Sequence, residues 1–107
     1  MIDAVLSRIK IRLTAESYDE AVLGELAQTT LDRLSIRLGV NEDAFPSSFY
    51  SIAVDATVKS FRRLYYEGIT SEGVANLSTS FVDDILSEYA CEIELYRKGH
   101  GEVVRFL

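Results

Sequence analysis

Residues 46–68 read PSSFYSIAVDATVKSFRRLYYEG, a segment with a proline at its front and a glycine at its back. Pro46 can open a helix, because its missing N–H would be unpaired in the first turn anyway. The helix that follows extends to about Glu67 and is apolar on two sides. Phe49, Ile52, Ala53 and Ala56 share one face, and Val54, Val58, Phe61 and Tyr65 share another. A helix apolar on two sides is covered on two sides, so this is the central, most buried helix of a bundle. Gly68 closes it at the position where a left-handed residue costs least.

The flanking sequence repeats the helical period. Ile2 to Leu13 forms a first helix, with Val5, Leu6, Ile9 and Leu13 at i, i+3, i+4 spacing. Asp3 stands near its positive end and Arg8, Lys10 and Arg12 toward its negative end. Ser17 is the expected N-cap of a second helix, with Glu20 as its capping-box partner, and Gly39 is the stop after Leu38. Its stripe is Val22, Leu23, Leu26, Thr30, Leu31, Leu34 and Leu38. A fourth helix, capped by Ser80 or Ser78, carries Phe81, Ile85, Leu86, Tyr89, Ala90, Ile93 and Tyr96. It ends at Gly99 and Gly101, around His100. Strand-like alternation is nearly absent. The expected fold is all-α: one domain over residues 1–107, a small bundle of about four helices. A long polar loop joins the last two helices, and an extended C-terminal tail over 99–107 is expected to be flexible until docked.

The 107 residues, 48% apolar and 26% charged, fit one small domain with one modest core. No apolar run approaches the roughly 20 residues that cross a bilayer, and MIDAVLSRIK lacks a cationic region before a long apolar one. The expectation is a protein that stays in the cytoplasm where it is made, with no membrane partner. A single cysteine, Cys91, rules out an internal disulfide and reads as a small apolar filler. A net charge of -6 argues against tight nucleic-acid binding, which depends on cations that neutralise phosphates. The charge is uneven. Seven acids and no lysine or arginine lie between Glu67 and Tyr96, while cations gather at Arg8, Lys10 and Arg12, at Lys59, Arg62 and Arg63, and at Arg97, Lys98 and Arg105. This is either a set of solvated faces or a means of pairing a basic face with an acidic one.

Chemistry-bearing constellations are few. The only histidine, His100, sits between two glycines, a poor place to hold catalytic geometry. Asp83, Asp84, Glu88, Glu92 and Glu94 read as a solvated acidic face, because a helical carboxylate metal site recruits histidines or a second carboxylate helix. Gly68 and Gly73 lack the spacing of a phosphate cradle. No catalytic residue, metal ligand or cofactor is assigned. The 12-residue stretch Ile69 to Ser80 is long for a bundle connection, and such loops in compact domains are functional or mobile. Lys59, Arg62, Arg63, Tyr65 and Tyr66 read as amphipathic snorkelling rather than a nucleic-acid patch. Val103, Val104, Phe106 and Leu107 leave four apolar groups after a glycine hinge. That tail either folds back onto its own bundle or adds to a neighbouring protein.

YYEG followed by SEG and LSTSF, then a closing helix ending in LYRKG, resembles the small helical head–tail connector proteins of long-tailed phages. The likeness covers Tyr18 to Lys98. Tyr66, Glu67 and Gly68 match the helix-ending motif, Ser71, Glu72 and Gly73 the start of its loop, and Tyr96 and Arg97 its closing pair. The loop is less glycine-rich than the family's. The resemblance implies a non-enzymatic virion protein of the neck, an adaptor for head completion. Twelve copies would form a ring under the portal vertex, extend the DNA channel without binding DNA specifically, and offer a surface to the next head-completion, stopper or tail protein. It implies that Glu67, Gly68, Ser71, Glu72, Gly73, Asn76 and Ser78 face the channel or the next ring. It also implies that Val103, Val104, Arg105, Phe106 and Leu107 dock on the portal, and that Arg62 and Arg63 of one subunit meet Asp83, Asp84 or Glu88 of another.

Two other classes compete. A small helical regulatory module would bind a protein or a DNA groove through the second and third helices, but a recognition helix presents exposed arginines at its start and PSSFYSIAVDATV is nearly uncharged. An enzyme would have to rest on Asp83, Asp84 and their neighbours, with no nucleophile geometry behind them.

Overall fold

The computed structural model describes residues 1–14, 16, 18–67 and 82–99, and these form an all-α bundle with no strand among them. Helix α1 spans Ile2–Arg12, with Asp3 in its first turn and Lys10 and Arg12 in its last, so both ends complement the helix dipole. Val5, Ile9 and Leu13 are fully buried and Leu6 partly so, as their spacing predicts.

Helix α2 spans Glu20–Leu38. Its N-cap is Asp19 rather than the expected Ser17, which lies outside the described residues. The Asp19 carboxylate accepts from the backbone N–H of Ala21 at 2.8 Å and of Val22 at 3.3 Å. Aspartate is as good a cap as serine, adds a charge that the helix dipole favours, and stands directly before the first helical residue. Glu20 does not close a capping box on Ser17; it reaches Lys10 of α1 at 3.1 Å. At the far end Gly39 adopts φ 73°. Its N–H donates to the Ile36 carbonyl at 3.2 Å, and that of Val40 to the Ser35 carbonyl at 3.1 Å, so the left-handed glycine satisfies carbonyls the helix leaves open.

Pro46, at φ −70°, precedes a 3-10 turn over Ser47–Phe49 that feeds α3, Tyr50–Glu67, so the proline stands one turn ahead of the α-helix itself. The two-sided reading of α3 holds. Ala53, Val54, Ala56, Thr57, Val58, Ser60 and Phe61 are all buried, and the helix packs against both α1 and α2. Small residues at 53, 56, 57 and 60 let the neighbouring backbones approach. The buried hydroxyls are satisfied locally: Thr57 donates to the Ala53 carbonyl at 2.7 Å, Ser60 to that of Ala56 at 2.8 Å, and Thr30 of α2 to that of Leu26 at 2.8 Å. The centre is shared, however. α2 also packs against every other helix, and eight of its residues are buried.

The fourth element, α4, covers residues 82–97: α-helical over 82–86, a 3-10 turn over Ser87–Tyr89, then α-helical over Ala90–Arg97. Val82, Ile85, Leu86 and Ile93 are buried, and Tyr96 meets Phe49 edge to face with ring centroids 5.4 Å apart. Two expectations fail here. Cys91 is exposed, not a core filler, because it stands two residues from both Tyr89 and Ile93 and so faces away from the stripe they form. Ala90 is exposed too, at the edge of that stripe. Phe81, the caps Ser78 and Ser80, the loop Ile69 to Ser80 and residues 100–107 of the tail lie outside the described residues. Among the described residues no helix is long and apolar enough to cross a membrane.

Candidate functional site

Two polar seams hold α4 against the bundle, and Asp83 and Glu88, two of the acids singled out in the sequence, lie in them. The first runs along α3. Helical spacing places Ser51, Asp55, Lys59 and Arg62 in one polar stripe between the two apolar faces. Arg8 of α1 donates to Ser51 at 3.0 Å, and Arg12, one turn on, meets the Asp55 carboxylate at 2.9 Å. From the other side the Tyr89 hydroxyl of α4 donates to the second oxygen of Asp55. Lys59 then ties the group together, 2.9 Å from Glu88, 3.1 Å from the Tyr89 hydroxyl and 3.4 Å from Asp55. Its ammonium also lies 5.2 Å from the centroid of the Tyr89 ring.

Burial alone would push the Asp55 carboxyl up. The hydrogen bonds from Tyr89 and Arg12 and the charge of Lys59 outweigh it and hold Asp55 below the ordinary carboxylate range. Tyr89 moves the opposite way, raised by burial and by its hydrogen bond to Asp55. The hydrogen bonds to Glu88 and Tyr89 raise Lys59. Near neutral pH the phenol is therefore neutral, and the carboxylate and the ammonium stay charged. The cluster is a clamp across three helices rather than an acid–base pair poised to exchange a proton.

The second seam joins α2 to α4. Arg33 grips Asp83 with Nε at 3.0 Å and Nη2 at 3.1 Å, a bidentate fork, and Arg37, one turn on, adds Nη2 at 3.2 Å. Burial would raise the Asp83 carboxyl, but the two guanidiniums lower it. Arg37 also lines a cleft of about 260 Å³ between α2 and α4, with Leu86, Ser87, Ala90, Ile93, Glu94 and Arg97 along its other wall. Its Nε is buried with no hydrogen-bond partner among the described residues.

The five charges expected to meet across a subunit boundary have partners inside the chain: Arg63 with Asp84 at 2.7 Å, Arg62 with Glu16 at 3.3 Å, Asp83 with Arg33 and Arg37, and Glu88 with Lys59. The bundle brings the acidic start of α4 alongside the basic end of α3, so charge segregated in the sequence is largely neutralised in the fold. Of the expected loop residues, Glu67 is the last residue of α3. Gly68, Ser71, Glu72, Gly73, Asn76 and Ser78 lie outside the described residues, as do Val103, Val104, Arg105, Phe106 and Leu107.

Asp55, Tyr89, Arg33 and Arg37 are the members that sequence reading did not mark as polar partners. Arg8 and Arg12 on α1 and Ser51 and Asp55 on α3 share the same four-residue spacing, and that was the available signal. Three large aliphatic side chains stand exposed on the surface: Ile11 on α1, Ile36 on α2 and Leu95 on α4 are 72%, 67% and 71% exposed. Among the described residues no group of three or more histidine, cysteine, aspartate or glutamate side chains is placed to hold a metal ion. Comparison with protein-family models, with curated proteins and with solved structures finds no match to this chain.

Proposed function

We propose that this chain is a non-enzymatic assembly subunit, a head–tail connector of a phage neck that forms a ring under the portal vertex and passes DNA without binding it specifically. The observation that carries the reading is the division of its surface. Several charged side chains of α1, α3 and α4 pair within the subunit, while a large aliphatic side chain stands open on each of α1, α2 and α4. Single exposed aliphatics are ordinary, but three on separate helices of so small a domain suit repeated contacts with copies and with a portal. The connector-like motifs YYEG, SEG and LYRKG support the same reading, as does the small all-α bundle. In it, residues 69–80 face the channel or the next ring, and Val103 to Leu107 dock on the portal.

The regulatory alternative gains nothing from the start of α3. Phe49 is buried there, Tyr50 stacks on Phe45 at 5.9 Å, and Arg8 of α1 holds Ser51.

Because the charges are already paired, ring assembly is expected to respond weakly to salt. Light scattering of the protein alone and with portal assemblies, between about 50 mM and 500 mM salt, tests both points. A ring on the portal whose stoichiometry persists at high salt supports the reading. A stable small oligomer indifferent to every portal overturns it.

A further inference from the structure

The α4 wall of the cleft between α2 and α4, from Leu86 to Arg97, covers about 16 Å of helix. Its volume of about 260 Å³ is therefore spread along a trough rather than gathered in a bowl, and it is below the roughly 300–1,000 Å³ of small-molecule sites. Leu86, Ala90 and Ile93 give the trough an apolar floor. The polar groups along it are incompletely used. The Ser87 hydroxyl donates to the Asp84 carbonyl at 2.6 Å, which leaves its oxygen to accept an N–H. Arg33 holds both oxygens of Asp83, so the single bond that Arg37 donates there through Nη2, at 3.2 Å, is the dispensable one. The Arg37 Nε is buried with no hydrogen-bond partner among the described residues. An unpaired buried N–H is costly, so this guanidinium gains from an acceptor that draws it away, and Asp83 keeps its fork with Arg33. Over the cleft and the ion group beside it, three guanidiniums, Arg33, Arg37 and Arg97, stand against two carboxylates, Asp83 and Glu94.

We propose that this cleft binds a short extended segment of a partner protein in which an aspartate or glutamate stands between apolar residues. The Arg37 guanidinium turns from Asp83 to the incoming carboxylate and donates to it through Nε and an Nη. The apolar neighbours of that acid lie on Leu86, Ala90 and Ile93, and the Ser87 oxygen accepts one backbone N–H of the segment. The acid supplies the negative charge that balances the cleft, and the peptide backbone supplies an N–H that a simple carboxylic acid lacks. The site is independent of the connector reading, since a subunit of any other assembly would present it equally.

Titration of the ¹⁵N-labelled full chain with the probe peptide acetyl-Leu-Asp-Phe-amide, followed by backbone amide and arginine Nε–H shifts, tests this. Saturable shifts at Arg37 Nε–H and along residues 86–97 are expected, with a Kd of about 0.1–1 mM. Acetyl-Leu-Asn-Phe-amide, which keeps the shape and loses the charge, is expected to bind about tenfold more weakly. Arg37→Gln, in which Arg33 still holds Asp83, is expected to cost the Asp peptide about tenfold as well. Ala90→Glu, which fills the trough from an exposed position and repels the acid, is expected to abolish binding. Asp83→Asn releases Arg37 and is expected to tighten binding severalfold. Absence of saturable shifts up to about 10 mM peptide would overturn the proposal. Equal binding of the two peptides, or wild-type affinity in Arg37→Gln, would do the same. If phenylacetate matched the Asp peptide at the same resonances, the site would belong to small carboxylic acids and the peptide assignment would fall.

Discussion

The seam between α4 and α3 and the seam between α4 and α2 hold the same helix by different means. On the α3 side two acids, Asp55 and Glu88, face two bases, Arg12 and Lys59, and a neutral phenol sits among them, so the charges cancel. On the α2 side two guanidiniums share Asp83, one positive charge is left over, and a cleft opens next to it. The α3 seam is thus balanced and filled by a hydroxyl, whereas the α2 seam sets two guanidiniums on one acid beside a cleft.

The largest expected effect asks whether the seams hold α4 at all. Leu86 is fully buried at the root of the helix between them. Leu86→Ala is expected to cost about 3 kcal/mol in urea unfolding, the sum of lost transfer energy and the cavity left behind. Exposed and half-exposed ion pairs give about 0–1 kcal/mol each. A loss under about 1 kcal/mol for Leu86→Ala would mean that the seams, and not the core, fix the helix, and the contrast between them would then concern stability more than binding.

A smaller effect separates the seams from each other. Asp55→Asn weakens the acceptor of a part-buried hydroxyl and strips the partner from Arg12, so about 1–2 kcal/mol is expected. Asp83→Asn leaves Arg33 and Arg37 side by side in a more open place and is expected to cost about 1 kcal/mol. Their salt responses should differ. Added salt screens the guanidinium repulsion and partly restores Asp83→Asn, but it gives no such recovery to Asp55→Asn. Equal salt responses would erase the distinction between a balanced and an unbalanced seam.

The sequence made the helices legible and left their partners hidden. Val5, Ile9 and Leu13 of α1 and Leu23, Leu26, Thr30, Leu31, Leu34 and Leu38 of α2 are buried at their predicted positions because burial follows the 3.6-residue period, a local property; Ala27 and Ser35, beside that stripe, are buried too, and Leu6 and Val22 only partly. Cys91 is exposed because that same period puts it opposite Tyr89 and Ile93 and outweighs the general preference of cysteine for cores. The polar stripe Ser51, Asp55, Lys59 and Arg62 follows the same period and is equally readable between the two apolar faces. Which acid meets which base was not readable at all. Pairing depends on the angles at which helices cross, and nothing in the spacing of Arg33 or Asp83 reveals that they lie 3.0 Å apart.

The finest discrimination between the seams is their response to pH. Asp55 and Asp83 both have carboxyls lowered in the folded state, so each contributes stability that is present above the ordinary aspartate value near 4 and is lost as pH falls through the lowered one. The acid limb therefore belongs to both seams, and Asp55→Asn and Asp83→Asn should each flatten it. At the alkaline end they part. Tyr89 and Lys59 are raised, so the stability they contribute is present below their ordinary values, near 10, and is lost as pH climbs through the raised ones. Among the described residues the α2 seam contains neither a tyrosine nor a lysine. Urea midpoints measured from pH 3 to 11 should show Tyr89→Phe reducing the alkaline loss and Asp83→Asn leaving it as it was. If Asp83→Asn altered the alkaline limb as much as Tyr89→Phe, the two seams would be coupled through α4, and the helix would respond as one body to a change on either side.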